Sequence, residues 1–531
     1  DLSVVTKGLI YDEPLSHSMF LNLVRLYGSQ DTTTYNDYDI HTTFEQRTQA
    51  DLSTRRLKLA DLKCDLTPLN WLTHLDLLLV TNILLWANVH GTDYFYLLKE
   101  NGYFNSIESF IDQASKLGSH IKRPMGGDDY KQILAELNVL TGYLQNDITP
   151  VQWSYELDAL AKGGSEHGFG DWPSLFTKTA RQNSFIQSQP NFISFKDFIY
   201  SKEWTTPGSS SIGHVRWSYD DDDGRFKARK NMLPEIYPME TIYDLALNWN
   251  GELRSKAFTK DELSKRRIAV ASNLEAYLNE SYILKIIGHA YKSWNFITLD
   301  ETPAEQHARN QKLMKLLSQG QWALPFDFKA FDHQPTTEEI QTLVTVICDL
   351  PQIPPPYREE WKMITTRTIQ SYANSTIEMT INGQNKKTKV TGGLPSGVRI
   401  TSLIGNFWNQ VITSIAQTVT NNILGYKPIF TIALRGDDTY ILSSRPVELV
   451  VFRLAYSAIN AKGLDSKFGI CKFNCEFLRN IATDKVVRGW TNRAIPSITQ
   501  RKPWNPQPWT PGSDVMTVAD NIRTLERRKQ K

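Results

Sequence analysis

The chain has 531 residues, 40% of them hydrophobic, so it can bury the cores of one multi-lobed enzyme or of three to four domains. Its 59 basic and 57 acidic residues give a net charge of +2, which excludes a general polyanion binder and restricts any nucleic-acid site to a local basic channel. Four cysteines exclude a disulfide-rich scaffold and indicate a reducing, cytoplasm-like compartment.

The N-terminal part of the chain contains no motif that indicates chemistry. Residues 1–65 are polar and predict an extended arm with little core of its own. Residues 66–200 are predicted to be helical, because leucine and isoleucine recur at three-to-four spacing. The most apolar segment, Leu69–Trp86, is interrupted by polar and charged residues and predicts a buried helix rather than a membrane span.

Loops and a basic segment follow. Residues 205–213 (TTPGSSSIG) form a Gly/Ser loop whose backbone can approach a phosphate. Residues 220–230 (DDDDGRFKARK) predict a solvated acidic loop, and their basic residues lie either on a solvated face or against RNA. Residues 254–267 (RSKAFTKDELSKRR) lead into a β-prone run. Because guanidinium groups bind phosphate oxygens in pairs, this segment either meets a triphosphate or template backbone or is a solvated face.

A strand-like run at residues 322–332 (WALPFDFKAFD) carries two aspartates, Asp327 and Asp332. Side chains alternate along a strand, so Asp327 points away from the phenylalanines on either side of it and is not part of the apolar face. A helix with a capping box at its start is predicted to begin after Thr336 and to end at Pro351.

The next segment predicts a hairpin, a flexible loop and a long helix. The hairpin turns at Asn382-Gly383, and Gly392–Gly397 (GGLPSG) forms the loop. The helix runs from Thr401 to Leu424 and stops at Gly425. One helix face is apolar, and the opposite, polar face contains Asn406, Asn409, Gln410, Thr413 and Gln417.

Ile429–Leu442 (IFTIALRGDDTYIL) contains two short strand-like runs joined at a Gly-Asp pair, which predicts a β-hairpin. Its tip presents Asp437 and Asp438, with Arg435 as the neighbouring cation. Two like charges about 4 Å apart repel by roughly 4 kcal/mol at an effective dielectric near 20. The aspartates therefore indicate a divalent cation, and the alternative is a solvated turn.

The order of these segments resembles motifs A to E of viral RNA-directed RNA polymerases. Asp327-x4-Asp332 resembles motif A, SGxxxT with a downstream Asn motif B, GDD motif C, the turn at Lys467 motif D, and CEFLR motif E. SKRRIAVAS resembles motif F and TTPGSSSIG motif G, so the resemblance spans residues 205–480. It is strongest to the polymerases of small double-stranded RNA viruses, first picobirnaviruses and then partitiviruses.

The resemblance implies an α+β right-hand polymerase with fingers, palm and thumb, closed into a ring, whose palm has an RRM-like antiparallel sheet. The implied domains are an arm at residues 1–65 that bridges fingers and thumb, fingers at 66–320, a palm at 321–480, and a thumb with a C-terminal tail at 481–531. The motifs lie at residues 205–213 (G), 254–272 (F), 322–332 (A), 392–424 (B), 429–442 (C), 462–470 (D) and 475–480 (E).

The resemblance also implies the reaction, a template-dependent transfer of nucleotides from NTPs to an RNA 3′-hydroxyl. Such transfer uses two divalent ions about 3.5–4 Å apart. Asp327 and Asp437, helped by Asp438, are the implied ligands of Mg²⁺, with Mn²⁺ as a substitute. Lys467 matches the motif D lysine, a proton donor to pyrophosphate, and Lys472 is its rival.

Further implied contacts select the nucleotide and hold the triphosphate. Asp332 would sense the ribose 2′-hydroxyl together with the segment after Ser396-Gly397. Gly405 stands where the family has its usual Asn, so the residue that completes this gate is left open among Thr401, Asn406 and Asn409. The triphosphate would be held by Lys265 and Arg267.

The implied template and initiation residues lie outside the palm. The residues implied to guide the template are Ser209, Ser210, Ser211 and Gly213. The proline-rich C-terminal segment with Trp504 and Trp509 is either a platform on which an initiating nucleotide stacks, or a surface tail. The expected partners are RNA template and product, NTPs and a viral capsid protein. We also expect a monomer without a membrane anchor, inside the virion or in the host cytoplasm.

Two rival functions make different demands on the sequence. A reverse transcriptase shares the palm, but usually has an aromatic residue at the position of Asp332 and YxDD in place of GDD. A non-catalytic RNA-binding protein with a decayed palm should have lost a metal carboxylate, whereas Asp327 and Asp437 are both present.

Overall fold

The computed structural model describes residues 10–28, 77–90, 92–123, 133–142, 153–164, 166–168, 170–206, 214–219, 222–262, 265–464, 467–499, 512, 515–517 and 519–523. The predicted template residues Ser209, Ser210, Ser211 and Gly213 lie outside these ranges, as do Trp504 and Trp509 of the predicted platform.

The described chain begins with a mainly helical part and continues with helices and four sheets of mostly antiparallel strands, which confirms the predicted α+β class. The helices are α1 (His17–Tyr27), α2 (Leu77–His90), α3 (Thr92–Glu100), α4 (Ile107–Ile121), α5 (Trp153–Ala161), α6 (Trp172–Asn183), α7 (Phe195–Tyr200), α8 (Leu233–Ile236), α9 (Met239–Leu247), α10 (Leu274–Ile287), α11 (Pro303–Ser318), α12 (Thr337–Asp349), α13 (Arg358–Ser371), α14 (Thr401–Leu424), α15 (Pro446–Ala458) and α16 (Ala494–Thr499). The strands are β1 (Ile10–Tyr11), β2 (His214–Tyr219), β3 (Asp222–Lys227), β4 (Leu253–Glu262), β5 (Lys265–Ser272), β6 (Trp322–Asp327), β7 (Ser375–Ile381), β8 (Gln384–Lys389), β9 (Thr431–Arg435), β10 (Asp438–Ser443), β11 (Ile470–Cys471), β12 (Cys475–Phe477), β13 (Asn480–Ala482) and β14 (Val487–Gly489).

The central sheet has the strand order β1-β11-β6-β10-β9, and its three long strands, β6, β10 and β9, are antiparallel neighbours. Its side chains alternate between two cores, as a pleated strand requires. Phe326 and Ile441 face the largest core, which contains α14, whereas Ala323 and Tyr440 face a smaller core beneath α11. In β6, Asp327 lies on the same face as Ala323, and in β10, Asp438 lies on the same face as Tyr440. Both aspartates therefore lie on the sheet face that packs against the smaller core, at the end of the strands.

A second sheet, with the strand order β5-β4-β7-β8, lies on α5. Its β7–β8 hairpin turns at Asn382 and Gly383, which have φ angles of 50° and 79° and so confirm the hairpin predicted at this pair. One face of the sheet is buried through the shared core of Leu157, Val270, Ile377, Met379 and Val390. The segment predicted as motif F therefore lies, in its described part, in β4 and β5.

A separate hydrophobic core joins the two ends of the described chain. It combines buried residues between Leu15 and Leu140 with Ile481, Trp490 and Ile495 from the C-terminal part. The predicted division into arm, fingers, palm and thumb stays a prediction. This core contains residues from more than one of the predicted domains, because it joins α1–α4 to residues 481–495. Within the described ranges, no helix is both long enough and apolar enough to cross a bilayer.

Candidate active site

The tip of the β9–β10 hairpin carries the predicted catalytic aspartates. Two residues, Gly436 and Asp437, connect the strands, and glycine at the first position with φ 60° is the arrangement of a type II′ turn. Asp438 begins β10 and pairs directly with Asp327, the last residue of β6. Directly opposed residues of antiparallel strands have Cα atoms about 4.5–5.5 Å apart. The fold therefore brings residues from two distant motifs to one end of the sheet.

Lys467 is placed at the same end. Its Nζ lies 2.5 Å from Oδ2 of Asp327. The backbone of its loop is attached to the end of β6, because Leu464 N–H donates to the Asp327 carbonyl oxygen at 2.9 Å. The structure thus places the predicted motif D lysine on the motif A carboxylate.

These residues line a cavity of about 830 Å³. Its carboxylates are Asp327, Asp437 and Asp438 at the end of the sheet, together with Glu136 and Glu476, which form ion pairs with Lys122 and Arg493. The surrounding cations are Lys122, Arg123, Lys260, Arg267, Lys467, Arg479 and Arg493. A cavity with a small acidic centre and a cationic wall suits a polyphosphate held beside a divalent ion.

The carboxylates perturb one another. Burial, followed by the charges of Asp437, Glu476 and Asp327, raises the pKa of Asp438 to about 7. Burial and the charge of Asp327 also raise the pKa of Asp437, against the opposing charges of Arg267 and Lys467. Each ionised carboxylate is therefore costly, and a bound cation would lower that cost.

The chemistry of these donors fits a divalent ion, since hard oxygen ligands are those that Mg²⁺ and Mn²⁺ prefer. In the described part of the structure, however, these donors do not form a complete metal-binding site. Among the described residues, no group of three or more His, Cys, Asp or Glu side chains is positioned to hold a metal. The Lys467 ammonium contacts Oδ2 of Asp327, so a metal ion at this oxygen would compete with the lysine.

Polar residues of α14 hold the aspartate turn from behind. Asn409 Nδ2 donates to the Gly436 carbonyl oxygen at 2.7 Å and to Thr439 Oγ1 at 2.8 Å. Asn406 Oδ1 accepts from Gly436 N–H at 2.9 Å. Both asparagines are buried. Two of the three alternatives for the ribose gate, Asn406 and Asn409, therefore contact the turn, and the gate itself stays a prediction.

The predicted motif B loop is tied to the end of motif A and to the motif F strand. Leu394 N–H donates to the Asp332 carbonyl oxygen at 2.7 Å. A Cβ at Gly397 would lie 1.2 Å from the Val270 carbonyl oxygen in β5, so only glycine allows this approach. Thr401 Oγ1 donates to the Pro395 carbonyl oxygen at 2.7 Å and closes the loop at the start of α14.

The predicted nucleotide-binding residues differ in how they reach the site. Arg267 lines the cavity and is exposed. Burial raises the pKa of Asp332 to about 6, the charge of Asp437 adds to the rise, and Arg267 opposes it. Asp332 thus interacts with the acidic centre without lining the cavity. Ser396 is exposed at the tip of its loop, and the side chain of Lys265 lies outside the described part.

Comparison with known proteins identifies the family. Residues 239–501 match the family model described as viral RNA-directed RNA polymerase. A curated relative, the probable RNA-directed RNA polymerase of Giardia lamblia virus (isolate Wang), is 25% identical over 337 residues. The chain belongs to the viral RNA-directed RNA polymerase family. The matched residues of the chain contain Asp327, Asp437, Asp438 and Lys467, and the family prediction is confirmed.

The extent of the matches is limited. The alignment with the Giardia lamblia virus protein covers 61% of this chain and 17% of that relative, so the chain spans only a small part of the curated relative's length. Among solved structures, the RNA-dependent RNA polymerase of a human picobirnavirus has a TM-score of 0.47 at 14% identity, covering 71% of this chain and 70% of that one. Its insertion-loop deletion mutant has a TM-score of 0.46 at 14% identity, covering 71% and 72%.

The sequence patterns did not identify several charged residues of the cavity. Lys122, Arg123 and Glu136 come from the chain after α4, where no motif marks them. Lys122 and Arg123 contact the motif E residue Glu476, which lies 3.2 Å from Lys122. No local pattern in the helical region could have identified them, because the residues that they contact lie hundreds of positions later in the sequence.

Proposed function

We propose that the protein is an RNA-directed RNA polymerase that copies a template by adding nucleotides from NTPs to an RNA 3′-hydroxyl. Its role would be to replicate and transcribe a double-stranded RNA viral genome, with primer-independent initiation. The observation that carries the proposal is the pairing of Asp327 with Asp438, next to Asp437, at the edge of a cavity with a cationic wall.

In the proposed step, the RNA 3′-oxygen forms a bond to the α-phosphorus, and the bond between that phosphorus and the pyrophosphate oxygen breaks. Polymerases of this family use divalent metal ions, which when bound make the hydroxyl easier to deprotonate and offset the charge of the leaving group. Asp327, Asp437 and Asp438 would hold Mg²⁺, or Mn²⁺ in its place.

Other residues of the chain act on the nucleotide. Lys467 would give its ammonium proton to the departing pyrophosphate, since it already stands at the reacting end of the sheet. Arg267 would bind the triphosphate oxygens, because a guanidinium group donates to phosphate in pairs. Asp332 and Ser396 would read the 2′-hydroxyl that distinguishes ribonucleotides from deoxyribonucleotides.

The proposed partners are an RNA template, its product and NTPs. A capsid protein, a monomeric state and a location in the virion interior or the host cytoplasm belong to the same proposal. They follow from the proposed replication of a viral genome.

A template-dependent incorporation assay tests the proposal. The wild type should incorporate ribonucleotides with Mg²⁺ or Mn²⁺. Asp437→Ala should fall to near background with its fold retained, because a metal carboxylate is removed. Asp484→Ala, at an exposed aspartate outside the cavity, is the matched control and should stay active.

The same assay separates the rival functions. Preference for deoxyribonucleotides would favour a reverse transcriptase. RNA binding without incorporation under either metal would favour a decayed palm. Full activity of Asp437→Ala would contradict the proposed site itself.

A further inference from the structure

Arg123 connects the N-terminal helices to the loop that carries Lys467. It lies just beyond the end of α4, and its side chain is only 8% exposed. Its Nε donates to the Lys467 carbonyl oxygen at 2.7 Å. The carbonyl oxygen of Arg123 in turn accepts from Cys471 Sγ at 2.7 Å and from Asn474 Nδ2 at 2.8 Å. The arginine is thus bonded both to motif D and to the segment between motifs D and E.

The approach between Arg123 and this loop is close enough to require a glycine. A Cβ at Gly469 would lie 2.8 Å from Cγ and 2.9 Å from Cβ of Arg123. Real Cβ atoms rarely come so near, and the buried arginine has little freedom to move away. The loop that follows Lys467 is therefore shaped to fit the stem of Arg123.

An ion-pair network fixes the guanidinium group. Arg123 lies 3.9 Å from Glu476, which also accepts from Lys122 Nζ and from Trp490 Nε1, each at 3.2 Å. Burial acts to raise the pKa of Glu476, but Lys122 and Arg123 hold it below its ordinary value. Glu476 is therefore ionised at neutral pH and keeps Arg123 aligned with the Lys467 backbone.

We propose that Arg123 is a positioning residue for Lys467, through which the N-terminal helices set the geometry of the proton donor. This inference rests on the proposed function of Lys467. Arg123 bonds to the backbone carbonyl oxygen of Lys467, and it would act on the proton donor through that carbonyl. Lys467 is 44% exposed and its Nζ contacts Asp327, so the direction from which it reaches this carboxylate depends on where its backbone is held.

Single-nucleotide addition on a primed template measures this effect. Arg123→Gln should lower the turnover rate about tenfold while the KM for NTP changes by less than about twofold, because the proton donor and not nucleotide binding is disturbed. Lys116→Gln is the matched control, since it removes a charge from the preceding helix α4, outside the cavity and without a bond to the Lys467 loop. It should stay within about twofold of the wild type.

A double-mutant cycle with Lys467→Ala decides whether Arg123 acts through the lysine. If it does, Arg123→Gln causes no further loss of turnover in the Lys467→Ala protein. Multiplied losses, or wild-type turnover in Arg123→Gln, would overturn the inference. Wild-type turnover in Lys467→Ala would instead overturn the proposed role of Lys467, so the two failures are distinguishable.

Two further variants exclude a merely structural explanation. Arg123→Lys keeps the charge opposite Glu476 but lacks the Nε donor, so it should not restore turnover; full restoration would contradict positioning. Gly469→Ala pushes the loop from the opposite side and should reproduce the loss of turnover with Arg123 intact. Thermal melting and RNA binding show whether Arg123→Gln folds. If it does not, Gly469→Ala tests the inference in its place.

Discussion

Replacing Asp438 by asparagine should stabilise the metal-free protein. Burial and the neighbouring carboxylates raise the pKa of Asp438 from 3.8 to about 7. One pKa unit corresponds to about 1.4 kcal/mol, so the ionised side chain destabilises the folded state by at most about 4 kcal/mol. Asparagine has nearly the same shape and no charge, and it removes this cost.

The pH dependence follows from the sign of the shift. The folded protein binds the Asp438 proton more tightly than the unfolded chain, so its stability falls as the pH rises from about 4 to about 7. The advantage of Asp438→Asn should be absent below about pH 4 and complete above about pH 7. For 531 residues, an unfolding entropy of roughly 1 kcal/mol per degree converts this advantage to about 4 °C in Tm at pH 8.

Thermal melting in a chelating buffer measures this difference, at about pH 5 and about pH 8. Asp484→Asn, at an exposed position outside the cavity, is the control and should show no comparable gain. Added Mg²⁺ should raise the Tm of the wild type more than that of Asp438→Asn, because ligand binding stabilises the state that binds it. An equal Tm for variant and wild type at the higher pH, or a gain independent of pH, would refute the reasoning.

Three further predictions concern the parts around the aspartates. Asn409→Ala leaves the Gly436 carbonyl without its buried donor and should cost about 2 kcal/mol in urea unfolding and lower the elongation rate. Gly397→Ala should abolish elongation, because its Cβ would overlap the β5 backbone, whereas Gly405→Ala has ordinary contacts and should retain it in the same assay. Deleting residues 497–531 should impair primer-independent initiation more than primed elongation, and equal loss in the two assays would count against an initiation platform.

Elements that depend on neighbours in sequence could be predicted well. The helix expected from Thr401 to Leu424 has these bounds, and Gly425 ends it with φ 74°. The capping box predicted at Thr336 is present at the start of α12. The hairpin at the Gly-Asp pair formed as expected, since a two-residue turn with glycine first suits the strand twist.

Features made by distant contacts could not be predicted in the same way. The polar face of α14 is real, but Asn406, Asn409, Gln410 and Thr413 are buried, and the asparagines contact the aspartate turn. Periodicity identifies a polar face without showing what lies against it. Arg123 lies in a region with no motif, and only the tertiary fold brings it to Lys467.

The parallel pairing of β1 with β11 has a consequence for how the chain is made. Ile10 and Tyr11 take their places beside Ile470 and Cys471, and the core of the first helices is completed by Trp490 and Ile495. During synthesis these helices leave the ribosome long before their partners exist. Their apolar faces stay exposed until those partners are synthesised. The N-terminal part should therefore be the last to become protease-resistant and the most dependent on chaperones in the newly made protein.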